Sequence, residues 1–277
     1  MMNQKTRKPF AGTSTRLQGI AGGLAAALLL ALPGITLTLP VRALAQEGQP
    51  DPTQAQAMEI LKRADQIRFP SESFQVDIAI TSRNPDQTTE ARKYQVMSKG
   101  NDKTVISVTE PAAERGQIIL MSGRDLWVFL PSVSQPVRLS LAQRLTGQVA
   151  NGDLARANFS GDYTPKLLRT ETIDGESHHV LELNAVDRSV TYQRVLYWVK
   201  QKNSYPLKAE FYSVSGRLLK SCKYENFKTM AGKIRPTKLV MDDALRAGAQ
   251  SILEYDAMKL RDLPDRMFTK EYLKKIE

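Results

Sequence analysis

Residues 116–163 read GQIILMSGRDLWVFLPSVSQPVRLSLAQRLTGQVANGDLARANFSGDY. Two apolar runs flank the turn-forming segment 122–125, and this pattern predicts a β-hairpin. A third strand is expected after the turn that begins at Pro131 and ends at Pro136. The first half of the stretch therefore predicts consecutive antiparallel strands.

The two-residue alternation stops in the second half of this stretch. The pattern there is typical of two short helices, Leu139–Gln148 and Asp153–Phe159, separated by Asn151-Gly152. A helical interruption within a long series of strands needs a structural reason. We interpret the strands as a curved, apolar sheet and the helices as a lid over its mouth.

Strand patterns also precede and follow this stretch. From Phe74 onward apolar and polar residues alternate, and later runs are joined by short turns such as Asp174-Gly175. Short links require antiparallel neighbours, and the absence of alternating strands and helices argues against a parallel sheet. We predict a mainly β fold: a large, antiparallel, incompletely closed β-barrel of about 11 strands with short helices forming a lid.

Helices are expected at both ends of this series. Thr53 can cap a helix that runs to Arg68 and that presents one apolar face, before Pro70 ends it. Near the end of the chain, Thr269 can cap a final short helix with Leu273 on its inner side.

The first 45 residues are typical of a secretory signal peptide. Basic residues precede the apolar run 20–39, and Ala43-Leu44-Ala45 follows it, which predicts cleavage after Ala45 and a periplasmic protein. An uncleaved membrane anchor is the alternative. We expect residues 46–277 to form a single domain. The 277-residue chain has a formal charge of +10, and removing the five basic residues of the leader leaves about +5.

The sequence lacks the arrangements that enzymes and metal sites need. His178 and His179 are adjacent in a predicted strand, so their rings point to opposite faces. Asp242, Asp243, Asp262 and Asp265 lie in loops without histidines, so we expect neither a metal nor a cofactor. No nucleophile occurs with a base and its orienting group, so we expect no enzyme. Cys222, the single cysteine, is expected to be a buried small side chain.

The weak positive charge of the mature chain does not indicate nucleic-acid binding, because basic residues are not interleaved with aromatic ones. The apolar residues instead indicate an interior able to hold acyl chains, since each buried CH₂ contributes roughly 0.8 kcal/mol. An ordinary packed core would show the same pattern, and both interpretations stay open. The candidate cavity and lid residues are Phe74, Val76, Ile78, Ile119, Trp127, Phe129, Leu139, Leu141, Leu145, Leu154 and Phe159.

The order of these segments resembles that of the LolA-like outer-membrane lipoprotein-sorting proteins, the periplasmic lipid and lipoprotein carriers. The resemblance rests on Leu126-Trp127-Val128-Phe129-Leu130-Pro131-Ser132, the Arg138 strand, the polar lid and the closing run from Leu263 to Leu273. The larger branch of this family usually has an Asp-Phe or Asp-Tyr pair, which Asp162-Tyr163 matches, whereas the segment 149–152 fits its Gly-Ser-rich lid more loosely. The arginine that closes the lid in such carriers could be Arg92, Arg138 or Arg144.

This resemblance implies a monomeric carrier that takes acyl chains from an inner-membrane transporter to an outer-membrane acceptor. The alternative is a periplasmic sensor of the same fold that binds a segment of a membrane protein.

Overall fold

The computed structural model describes residues 52–156 and 158–273. The predicted signal peptide lies outside these residues. The first described element is the helix α1, Pro52–Arg68, which confirms the predicted helix, although Thr53 lies within it and not at its cap. Its apolar face carries the fully buried Ala57, Leu61 and Ala64. The guanidinium of Arg235 donates to the carbonyl oxygens of Gln66 at 2.8 Å and Ile67 at 3.3 Å, so the last turn of α1 has a cationic cap.

The described residues contain fifteen strands, separated by short turns. They are β1 Phe74–Arg83, β2 Thr89–Lys99, β3 Lys103–Glu110, β4 Ile118–Ser122, β5 Asp125–Phe129, β6 Val137–Leu139, β7 Arg144–Thr146, β8 Val149–Ala150, β9 Tyr163–Ile173, β10 Glu176–Ala185, β11 Arg194–Lys200, β12 Pro206–Tyr212, β13 Leu218–Met230, β14 Lys233–Asp243 and β15 Gln250–Leu260. The hairpin β4–β5 and the third strand β6 lie where the sequence predicted them.

Thirteen of these strands form one antiparallel sheet. Its order is β6-β5-β4-β3-β2-β1-β15-β14-β13-β12-β11-β10-β9, so the first and last of the described strands pair at its centre. Among the described residues β6 and β9 pair on one side only, and the sheet is therefore open. The prediction of a large unclosed antiparallel sheet is confirmed. The barrel shape and the count of about eleven strands are not confirmed, because the described sheet is open and has thirteen strands.

Residues 140–162, described except for residue 157, connect the two edge strands; we call them the lid segment. The predicted helix Leu139–Gln148 is wrong, because β6 ends at Leu139 and a two-stranded hairpin, β7–β8, follows. The second predicted helix is shorter and earlier than expected: α2 spans Asn151–Ala155.

Apolar residues form clusters on both faces of the sheet. The interior cluster joins the sheet to α1 and to the lid segment. The C-terminal cluster covers the opposite face of β3–β5 with Leu263, Phe268 and Leu273. This C-terminal part contains a 3₁₀ turn, Asp265–Phe268, and the helix α3, Lys270–Leu273. The Thr269 hydroxyl accepts a hydrogen bond from the Tyr272 N–H at 3.3 Å, as predicted for the cap.

The sheet splits at one end between β14 and β15. These strands pair only through Lys238–Asp242 and Gln250–Glu254. An extra residue in β15, where Ala257 has φ +48°, shifts its register against β1, and Pro236 in β14 has no N–H to donate. The split opens into a groove of about 790 Å³ lined by both charge signs.

Candidate ligand-binding interior

The interior cluster contains nine of the eleven candidate residues. Six of them are buried, and the other three pack against these with part of their surface exposed. They are Phe74, Val76, Ile78, Ile119, Leu141 and Leu154, followed by Leu139, Leu145 and Phe159. The prediction grouped residues of three strands with residues of the lid segment, and the structure places these nine in one cluster.

The structure separates Trp127 and Phe129 from the other candidates. Both pack in the C-terminal cluster, and the Lys270 ammonium lies 3.8 Å from the centroid of the Trp127 ring. Their neighbour Leu126 is buried in the interior cluster instead. Because successive residues of a strand point to opposite faces, the grouping of Trp127 and Phe129 with Phe74 is corrected.

Helix α1 and the lid segment both pack against the interior face of the sheet. Between them lies a cavity of about 30 Å³, bordered by Arg68 of α1, by Asp153 and Phe159 of the lid segment, and by Tyr192 and Tyr224 of the sheet side. A cavity of this size has room for roughly one water molecule. An acyl chain can therefore enter this small cavity only if the lid segment or α1 moves.

A buried ion pair joins the lid segment to the sheet. The Lys220 ammonium of β13 lies 2.5 Å from Asp153 Oδ2 and donates to the Gln148 carbonyl at 2.8 Å. Only 5% of the Lys220 side chain and 8% of the Asp153 side chain are exposed. The Tyr192 hydroxyl and the Ala150 N–H also donate to Asp153. The Asp153 carboxylate thus has three donors, and it couples α2 to the middle of the sheet.

A second buried contact joins the lid segment to α1. Asp65 Oδ1 accepts from the Phe159 N–H at 3.1 Å, and Asp65 Oδ2 accepts from the Ser160 N–H at 2.8 Å. The Arg68 guanidinium stacks on the Phe159 ring, 4.4 Å from its centroid. Burial raises the pKa of Asp65, while Arg68 and the two backbone donors act in the opposite direction.

Further polar contacts fix both ends of the lid segment. Arg156 donates to Asp162 Oδ2 at 2.6 Å, and Arg124 also contacts Asp162. Near the start of α2, the Gln148 N–H donates to the Ser251 hydroxyl at 2.9 Å. The Thr104 hydroxyl donates to the Ala155 carbonyl at 2.8 Å. These bonds place the lid segment against both halves of the sheet.

The three arginines proposed to close the lid have other positions. Arg92 pairs with Glu114 at 2.8 Å, and Arg138 pairs with Asp125 in the neighbouring strand. Arg144 belongs to β7 within the lid segment and is exposed. Among the described residues, Arg68, Arg124 and Lys220 contact the lid segment from outside it, and the prediction from the sequence named none of the three.

A sequence signal for one of these cations exists. Along β13, Lys220 alternates with Ser221 and therefore shares a strand face with Cys222 and Tyr224, which are apolar or amphipathic. A lysine on such a face needs a buried anionic partner. For Asp65 and Arg68 the signal is weaker, because helix ends often carry charged residues.

The other polar candidates do not form a reactive site. His178 is buried and His179 is partly exposed, so the rings point to opposite faces as predicted. Cys222 is buried, and burial raises the pKa of its thiol to about 12. In residues 52–156 and 158–273, no three His, Cys, Asp or Glu side chains are arranged to hold a metal ion. None of the helices in these ranges is long and apolar enough to span a membrane.

Comparisons with known proteins identify solved structures that share the fold of this chain. Residues 100–275 match a family described as "Uncharacterized protein". No curated protein matched the chain. A DUF1329 family protein from Desulfovibrio piger has 22% identity and a TM-score of 0.70, over 80% of this chain and 99% of its own. A putative outer membrane lipoprotein-sorting protein domain from Vibrio parahaemolyticus has 22% identity and a TM-score of 0.69, over 80% and 100%. At these identities the two structures show a shared fold.

A more similar structure shows the family. A LolA superfamily protein from Nitrosomonas europaea has 64% identity to this chain and a TM-score of 0.76. The match covers 78% of this chain and 98% of that protein. With this identity over nearly the full length of the relative, the chain belongs to the LolA superfamily.

Proposed function

We propose that this protein is a non-catalytic periplasmic carrier, which shields the acyl chains of lipids or lipoproteins and moves them toward the outer membrane. The observation behind this proposal is the way the open sheet is covered. Between the edge strands β6 and β9, the lid segment covers the interior, and both polar contacts and buried apolar residues such as Leu141 and Leu154 hold it in place.

Physical reasoning supports a cover that opens. Opening exchanges the polar contacts of the lid segment for contacts with water and exposes only the few apolar residues that the segment buries, so it costs less than unfolding the sheet. Opening uncovers the aliphatic and aromatic residues of the interior cluster. An acyl chain that packs against them contributes a binding free energy of roughly 25 cal/mol per Å² of buried apolar surface. The lipoprotein-sorting name of the Vibrio relative agrees with such a ligand.

The experiment is native mass spectrometry of the protein purified from the cell envelope without detergent. We expect an added mass that organic extraction removes and that matches a lipid or an acylated peptide. To test the carrier proposal further, the delipidated protein is mixed with lipid-loaded vesicles and acceptor vesicles. The proposal fails if the protein neither retains a lipid nor accelerates transfer between the vesicles.

The groove at the split of the sheet favours a second candidate, a sensor that binds a peptide segment of a membrane protein. The first part of β14, Lys233–Thr237, pairs with β13 only, so its other edge lacks a strand neighbour within the described sheet. An extended peptide can add to such an edge through main-chain hydrogen bonds. A bare-chain mass together with a tightly bound protein in pulldown would favour this sensor over the carrier.

A further inference from the structure

The Arg68 guanidinium lies deep in the interior with little hydrogen bonding. It is 9% exposed, and the one hydrogen bond found for it among the described residues goes to Asp65 Oδ1 at 3.5 Å. Three aromatic rings surround it. The Arg68 Cζ atom lies 4.4 Å from the ring centroid of Phe159, 5.5 Å from that of Phe69 and 5.7 Å from that of Tyr224. A guanidinium has five N–H donors in a planar fork, so most of its donor capacity is unused.

The neighbouring Asp65 does not use this capacity. Its carboxylate oxygens are occupied by the Phe159 and Ser160 N–H groups at 3.1 and 2.8 Å, both shorter than the 3.5 Å contact with Arg68. Asp65 therefore acts mainly on the lid segment, and it neutralises the charge of Arg68 without filling its donor fork.

A second unsatisfied group lies beside Arg68. Tyr197 of β11 is fully buried, and within the described residues its hydroxyl has no hydrogen-bond partner. Its ring contacts Phe159 with centroids 5.3 Å apart and Tyr224 with centroids 6.0 Å apart. Burial raises the pKa of Tyr197, and the charge of Arg68 and its approach as a side-chain donor act against this. The guanidinium therefore lies beside the hydroxyl, although no well-formed hydrogen bond joins them. Buried polar groups nearly always have partners, so this hydroxyl needs an explanation.

The Phe159 ring of the lid segment packs against both of these groups. Phe159 belongs to the lid segment, stacks on Arg68, and makes edge contacts with Tyr163 and Tyr197. It also lines the cavity of about 30 Å³ together with Arg68. When the lid segment moves, this ring moves with it, and its place becomes available beside a cation and an unpaired hydroxyl.

We propose that Arg68 and Tyr197 bind the anionic head group, a carboxylate or a phosphate, of a single-chain amphiphile whose acyl chain takes the space that Phe159 fills in the closed structure. This inference rests on the proposed carrier function and narrows its cargo. The guanidinium fork matches two oxygens of a carboxylate or phosphate, and the Tyr197 hydroxyl donates to the same group.

The test compares three ligands of equal chain length: dodecanoate, dodecyl phosphate and the uncharged 1-dodecanol. Delipidated full-length mature protein is titrated with each ligand, and displacement of the uncharged fluorophore N-phenyl-1-naphthylamine gives the affinity. We expect at least one anionic ligand to bind more than about 10-fold more tightly than dodecanol. The better of the two anionic ligands identifies the head group.

The decisive variant is Tyr197→Phe, which removes one oxygen atom. Because that oxygen is unpaired in the closed structure, the variant should fold at least as stably as the parent protein. We expect its affinity for the preferred anionic ligand to fall by about 10- to 100-fold, and its affinity for dodecanol to stay unchanged. Tyr272→Phe, in the C-terminal cluster, is the matched control and should alter none of the affinities.

The outcomes separate this inference from the carrier proposal. If dodecanol binds as tightly as both anionic ligands, the anion site is refuted and the carrier stands. Equal losses for all three ligands in Tyr197→Phe, or no loss for any of them, also refute the site. If none of the ligands binds and the native protein carries no lipid, both proposals fail.

Discussion

Replacing Lys220 by methionine tests whether the buried pair with Asp153 holds the lid segment closed. Methionine keeps the length and the apolar stem of lysine but removes the ammonium group. Asp153 then keeps the Tyr192 hydroxyl and the Ala150 N–H as donors but loses its cationic partner. A buried carboxylate without its partner charge costs about 3–5 kcal/mol. Since two donors remain, we expect about 3 kcal/mol.

This cost need not appear as global unfolding. If the lid segment opens, water solvates Asp153, so the closed form alone loses the 3 kcal/mol. The population of the open form should then rise by roughly 150-fold, because 1.4 kcal/mol corresponds to a factor of ten. We therefore expect the larger change in the local opening of the interior rather than in the midpoint of unfolding.

Cys222 provides the assay, because its thiol lies on the same face of β13 as Lys220 and is buried. We expect labelling by 5,5′-dithiobis(2-nitrobenzoate) at about pH 8 to be slow in the parent protein, since burial raises the thiol pKa to about 12. In Lys220→Met the rate should rise by about 100-fold or more. The lysine charge lowers the pKa of Cys222, so its removal from a closed interior would slow labelling; faster labelling therefore reports opening.

Two further variants complete the test. Lys93→Met removes a surface pair with Glu110 whose side chains are 56% and 51% exposed, and it should cost less than about 1 kcal/mol without changing the labelling rate. Adding Asp153→Asn to Lys220→Met removes the uncompensated charge and should slow labelling again. A labelling rate in Lys220→Met within about threefold of the parent value would refute the role of this pair.

Three other predictions follow from the closed structure. Asp65→Ala leaves the Phe159 and Ser160 N–H groups and Arg68 without their anionic partner, and urea denaturation should show a loss of about 3 kcal/mol. Gly147→Ala should lose about 2–4 kcal/mol by the same measurement, because φ is +50° and a Cβ would lie 2.1 Å from Ser82 Oγ. Gly161→Ala, at φ +92° with no atom within 4 Å of the Cβ position, is its control and should lose only about 1 kcal/mol. Trp127→Ala should destabilise the protein by about 2 kcal/mol or more, because this ring packs in the C-terminal cluster. For the same reason, the affinity for dodecanoate should stay unchanged. A selective loss of ligand affinity would contradict that placement.

Most of the long strands could be predicted because one face of each is buried. In β1, the residues Phe74, Val76, Ile78 and Ile80 are all buried, as their two-residue spacing indicates. The turns also carried local signals, such as the Asp174-Gly175 pair between β9 and β10. Both features depend on neighbouring residues, and a single sequence contains that information.

The lid segment could not be predicted in the same way. The hairpin β7–β8 has strands of three and two residues, and its position depends on distant partners. The Ser251 hydroxyl accepts from the Gln148 N–H, and Lys220 donates to the Gln148 carbonyl. These contacts join residues more than 70 positions apart, so local spacing did not indicate a hairpin here.

The assignment of Trp127 and Phe129 failed for a different reason. Strand β5 is apolar on both faces, since Leu126 packs in the interior cluster and Trp127 packs in the C-terminal cluster. Alternation shows that these two residues point apart, but it does not show which face is the interior one. That choice depends on the C-terminal segment, which folds back onto the sheet from more than a hundred residues away.

The polar contacts of the interior have a physical role that an all-apolar interior would not provide. Buried ion pairs add little net stability compared with apolar packing of the same volume, but they strongly disfavour arrangements in which one partner is left alone. Lys220 with Asp153, and Asp65 with the Phe159 and Ser160 N–H groups, therefore fix one position of the lid segment. Once the segment opens, water can solvate these same groups, so they do not hinder opening as buried apolar side chains would. A carrier needs both properties, because its cover must return to one closed position and must also release its cargo.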